Sequence, residues 1–170
     1  MMKRLYILFL TLGMALTAVA QLPHSYSCDF EDEAENASWN LNTPRNQASE
    51  WGNFWAIGDA TASLGKRSLY ISSDDGATAK YIKMSESRVV IAWREVQLES
   101  GRYDLAFDWM CGGDSARSAL LVAWIPEEDF DDMVCMMNDD YKSKGREWVT
   151  NNMLTFDGSE LLTGGSVWTH

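Results

Sequence analysis

The chain has 170 residues, 25 Asp and Glu against 14 Lys and Arg, a formal net charge of -11 and 46% apolar residues. That balance excludes a nucleic-acid binder, which needs a basic footprint to displace counterions. It suits a soluble protein outside the cell and is compatible with calcium, although acidity of this degree also serves plain colloidal solubility.

Residues 1–20 read as a signal peptide. Lys3 and Arg4 form a positive start, residues 5–16 are apolar except Thr11 and Gly13, and Ala18-Val19-Ala20 supplies a small-residue cleavage pattern ahead of Gln21. The apolar stretch is too short for a permanent span, so no membrane-crossing segment is expected after cleavage. Losing Lys3 and Arg4 moves the formal charge from -11 to -13, because every acid lies downstream. Residues 21–170 then make one domain, long enough to bury a core. Eight Trp, six Phe and six Tyr make that core aromatic-rich.

Residues 31–53 are polar and carry six Asn or Pro residues, from Asn36 to Asn53; they read as a long loop around a short strand at 39–41. Strands follow at Trp55-Ala56-Ile57-Gly58 and Ser68-Leu69-Tyr70-Ile71-Ser72. The step Asp74-Asp75-Gly76 is a strong hairpin signal and predicts that the second of these pairs with a strand at 79–82. Val89, Ile91 and Trp93 alternate, and so do Tyr103, Leu105, Phe107 and Trp109, with Asp104 and Asp108 on the other parity. Each set predicts a half-buried strand facing a core. Residues 119–125 form a continuous apolar strand ended by Pro126. The acidic, Met-containing stretch 127–150 reads as an insertion with a solvated surface and one short helical turn. Recurring turns without a long amphipathic helix predict an all-β antiparallel sandwich. Leu69, Ile71, Val89, Ile91, Leu105, Phe107, Trp109, Leu120 and Val122 are the expected core positions.

Cys28, Cys111 and Cys135 match no zinc spacing and contain no Cys-x-x-Cys. Export permits one disulfide, whose pair the sequence does not choose; buried free thiols are the equal alternative.

Cys28-Asp29-Phe30-Glu31 resembles the opening of a MAM-type domain or of a calcium-binding jelly-roll carbohydrate module. Trp39, Asn53-Phe54-Trp55-Ala56-Ile57-Gly58, Gly65-Lys66-Arg67-Ser68-Leu69-Tyr70-Ile71-Ser72 and the run 101–109 extend the resemblance. Together they are similar to the jelly-roll modules of Gram-negative surface proteins, including the cleaved-adhesin modules attached to gingipain-type proteases. The resemblance covers residues 26–126 and is strongest over 53–109. It implies a non-catalytic jelly-roll sandwich, secreted or held at the outer cell surface, binding a glycan or a host extracellular protein. In similar modules two further strands follow a Trp placed like Trp168, so the expectation is a jelly roll lacking its last strands, monomeric when complete. The same resemblance implies a calcium site in which Glu31 gives a carboxylate oxygen and Gly65 and Lys66 give backbone carbonyls. An exposed Glu at a strand end is the plainer reading of Glu31.

Catalysis is not expected. His24 and His170 lie at the two ends of the mature chain, in segments where no scaffold is expected to hold a base against a nucleophile. A carboxylate-pair glycosidase needs two carboxyls about 5–10 Å apart across a cleft, and no Glu-x-Asp-x-x-Glu strand pattern is present. The double glycines at 112–113 and 164–165 lack the helix that phosphate binding needs. Trp51 and Phe54 are the candidate ligand contacts, since an exposed indole stacks on the apolar face of a sugar; aromatic packing in the core is the competing reading. Trp55 has the parity to turn inward with Ile57. The rival functions are an accessory domain of a secreted glycosidase or protease whose catalytic domain lies elsewhere, and a structural spacer.

Overall fold

A computed structural model describes residues 23–41, 52–83, 90–113, 118–124, 126–127 and 160–170. These are mostly extended and irregular chain with one helical turn, α1 (Glu33–Asn36), and four short strands: β1 (Phe54–Gly58), β2 (Ser68–Ser72), β3 (Leu120–Val122) and β4 (Glu160–Leu162). The fold is β-rich and antiparallel. β1 pairs with β2 in one two-stranded sheet and β3 with β4 in another. Single bridges join Asn40 to Trp93 and Trp109 to Thr169. Among the described residues no helix is long and apolar enough to cross a membrane.

Aromatic and β-branched side chains favour the pleated, half-buried surface on which β1 and β2 meet. The register sets Phe54 opposite Ser72, Ala56 opposite Tyr70 and Gly58 opposite Ser68, so these six share one face. Trp55, Ile57, Leu69 and Ile71 share the other. Burial is deepest on the first face: Tyr70 is 6% exposed, Ser72 is fully buried and Ser68 is nearly so. The expected parity of β2 is therefore inverted, because Leu69 and Ile71 are only half-buried. Tyr70 is the physical reason. Its hydroxyl donates to the Gly76 carbonyl at 2.7 Å, and its ring tip lies against Gly58, where an added Cβ would collide with the hydroxyl.

The two serines flanking Tyr70 tolerate burial because their hydroxyls are bonded. Ser68 Oγ donates to the Thr61 carbonyl at 2.6 Å. Ser72 Oγ donates to Asp74 Oδ1 at 2.8 Å and accepts from the Gly76 amide at 3.0 Å. The Asp74-Asp75-Gly76 turn forms as expected, with the Ala77 amide donating to the Asp74 carbonyl and positive φ at Asp75 (56°) and Gly76 (85°). It does not make the expected hairpin: residues 79–82 form no strand, and β2 pairs back to β1 across the loop 59–67. The segment at 79–82 is held through a side chain instead. Buried Asn53 accepts from the Ile82 amide at 2.7 Å and donates to the Ile82 carbonyl at 2.9 Å, copying one rung of a ladder.

The opposite face of the β1–β2 sheet is covered in part by the segment around Val90, whose carbonyl accepts from Trp55 Nε1 at 2.9 Å. Residues 102–108 are not a strand, and among the described residues no ladder holds them. With no sheet face to bury it, Leu105 is 63% exposed, which corrects its assignment to the core. Ile91, Phe107, Trp109, Leu120 and Val122 are part-buried. Val89 lies outside the described residues.

The polar loop expected at 31–53 contains α1. Asp32 caps it, its Oδ1 accepting from the Glu35 amide at 2.8 Å, and Glu33 and Glu35 complement the positive end of the turn. Asn40, expected within a short strand, forms one isolated bridge. Cys28 and Cys111 are free thiols, and Cys135 lies outside the described residues.

Candidate functional site

The loop 59–67 stands at a junction of the N-terminal turn, the segment 108–111 and the chain 165–170. Three tethers fix it. Ser68 Oγ holds the Thr61 carbonyl from within. Ser63 Oγ donates to Asp108 Oδ2 at 2.5 Å, beside the Trp109–Thr169 bridge. Glu31 Oε1 accepts from the amides of Lys66 at 2.5 Å and Arg67 at 2.9 Å.

Glu31 reaches this loop because the backbone turns sharply just before it. Phe30 has a φ of 64°, a rare conformation for a bulky residue, and the Glu31 amide donates to Asp29 Oδ1 at 3.0 Å. The Phe30 carbonyl accepts from Asn36 Nδ2 at 2.8 Å and its ring packs tilted against Trp39, 5.7 Å between centroids. On the receiving side Gly65 has a φ of 72°, and an added Cβ would fall on Glu31 Oε1. Glycine is required there for both reasons.

Glu31, Gly65 and Lys66, implied as a metal set by the resemblance, thus come together. Amide donors, not carbonyls, face the carboxylate at Lys66 and Arg67. Among the described residues no three His, Cys, Asp or Glu side chains converge as a metal-ligand group. The described residues bring one carboxylate toward the six to eight oxygens that calcium takes. Phe54 begins β1, half-buried beside Ser72, and Trp51 lies outside the described residues.

Each histidine is largely exposed and meets one carboxylate. His170 Nδ1 lies 2.8 Å from Asp108 Oδ1, and His24 Nδ1 lies 3.3 Å from Glu99 Oε2. The bonds from Ser63 and then His170 hold the Asp108 carboxyl below its ordinary range. The order of these groups matters. Asp108 sits between serine and histidine, so His170 has no contact through which to take the Ser63 proton, and a carboxylate of lowered basicity is a poor base for it.

A second polar cluster surrounds α1. Tyr26 donates its hydroxyl to Glu35 Oε1, Arg94 pairs with the same oxygen, and the guanidinium lies 4.6 Å from the Tyr26 ring centre. Partial burial and the Glu35 bond, with Cys28 adding to both, raise the Tyr26 phenol above its ordinary range. An open depression of about 610 Å³ lined by Ser27, Cys28, Asp29, Asp32, Ala34 and Glu35 lies alongside. Its carboxylates are engaged within the fold: Asp29 with the Glu31 amide, Asp32 with the Glu35 amide, Glu35 with Tyr26 and Arg94. The Asp32-x-x-Glu35 spacing is the sequence signal that marks this turn. No family model, curated protein or solved structure matches this chain.

Proposed function

We propose that this chain is an exported, non-catalytic binding or adhesion module with a jelly-roll sandwich fold, acting outside the cell or at its outer surface on a glycan or a host extracellular protein. The export pattern of residues 1–20 supports the location, and the antiparallel β-rich fold is compatible with the architecture. The observation that carries the reading is the meeting of Glu31 with Gly65, Lys66 and Arg67 across 35 positions of sequence. It ties a loop to a β scaffold, the usual arrangement by which a binding module presents its contacts. At Ser63, Asp108 and His170 the carboxylate, not the imidazole, accepts from the serine hydroxyl, which supports the non-catalytic reading.

The test is a binding screen of the purified mature protein against a glycan array and a panel of immobilised extracellular proteins, alongside generic esterase, protease and glycosidase substrates. Saturable binding to a member of either panel, with no turnover, is the expected result. Turnover that is lost in Asp108→Asn would overturn the non-catalytic reading, and silence in both panels would leave the spacer.

A further inference from the structure

We draw no further inference here: the strongest candidate, the open depression beside α1 lined by Cys28, Asp29, Asp32 and Glu35, is an acidic cluster with one thiol whose carboxylates are already bonded within the fold, and no second observation among the described residues points to a ligand.

Discussion

Gly58→Ala offers a sharp test of how the β1–β2 sheet is packed. The φ of Gly58 is not in the left-handed region, so alanine is compatible with the backbone and by itself gains about 0.4–1 kcal/mol from the unfolded state. The obstacle is Tyr70. The new methyl collides with the phenolic oxygen, while Cζ and Cε1 stand at 3.3 and 3.6 Å. Forcing the ring aside costs about 1–3 kcal/mol as overpacking. It also breaks the Tyr70–Gly76 hydrogen bond, worth about 1 kcal/mol. The net expectation is a loss of about 2 kcal/mol for Gly58→Ala. Tyr70→Phe alone should cost about 1 kcal/mol by removing the same bond. In the double variant the colliding oxygen is gone and the closest ring atom is at 3.3 Å, a contact relieved by a shift of a few tenths of an ångström. The double variant should therefore be little worse than Tyr70→Phe, about 1.5–2 kcal/mol short of additivity. Urea unfolding followed by tryptophan fluorescence measures all four proteins, with an unchanged m-value as the check on two-state behaviour. Additivity to within about 0.5 kcal/mol would refute the placement of Tyr70 against Gly58.

Further outcomes follow from the same geometry. Gly65→Ala meets both a φ of 72° and the Glu31 carboxylate, and should lower stability by about 1–3 kcal/mol, read as a drop in melting temperature; calcium should leave the wild-type melting temperature unchanged, and a calcium-dependent rise abolished by Glu31→Gln would instead make the carboxylate a metal ligand. Asn53→Ala removes a rung that is 7% exposed and leaves the Ile82 amide and carbonyl without it, a cost of about 2 kcal/mol by urea unfolding. Asp108 is held down by Ser63 and then His170, and Asp74 by the Thr78 and Ser72 bonds, so both contribute stability that is present above the ordinary carboxyl range near about pH 4 and is lost as pH falls through their lower folded values; stability against pH measured for Asp108→Asn and Asp74→Asn should show a shallower acid limb. Tyr26 is shifted the other way, first by burial and then by the Glu35 bond, so its contribution is intact below about pH 10 and declines above it; ultraviolet titration should show one late-ionising tyrosine that is absent in Tyr26→Phe.

Much of the local structure was legible from residue order alone. The apolar runs at 54–58 and 68–72 carry strand propensity, and both are strands. The Asp74-Asp75-Gly76 step needs positive φ at its second and third residues and has it. What the turn could not reveal was its partner. A four-residue turn reverses the chain but does not oblige the next segment to pair, and the segment at 79–82 is held through the Asn53 side chain instead. At the loop, the resemblance brought Glu31, Gly65 and Lys66 together by name, while the kind of contact between them depends on which peptide group turns toward the carboxylate, and that follows from one left-handed glycine. The contact between His170 and Asp108 was illegible for another reason. It depends on Asp108, 62 positions away, meeting the segment beside the Trp109–Thr169 bridge, and no local pattern encodes that distance.

The inverted parity of β2 shows where alternation loses its meaning. In Ser68-Leu69-Tyr70-Ile71-Ser72, hydrophobicity points Leu69 and Ile71 inward, and the rule holds when one face of a sheet meets water. Here the second face is covered in part as well. Leu69 and Ile71 share theirs with Trp55 and Ile57, next to the segment at Val90. The serine face is closed by the loops 59–67 and 73–78, each tied to a serine hydroxyl, with the Tyr70 ring filling the space that Gly58 and Gly76 leave. A tyrosine between two small hydroxyl residues, opposite a small-residue strand, is a pattern for burial by shape and hydrogen bonding instead of by hydrophobicity. Its deepest atoms are polar and satisfied, which is why a transfer scale misorders the faces. On this face each serine hydroxyl also ties a loop to the strand. The loop closed in this way meets Glu31 and Asp108 at its far end, through the amides of Lys66 and Arg67 and the hydroxyl of Ser63.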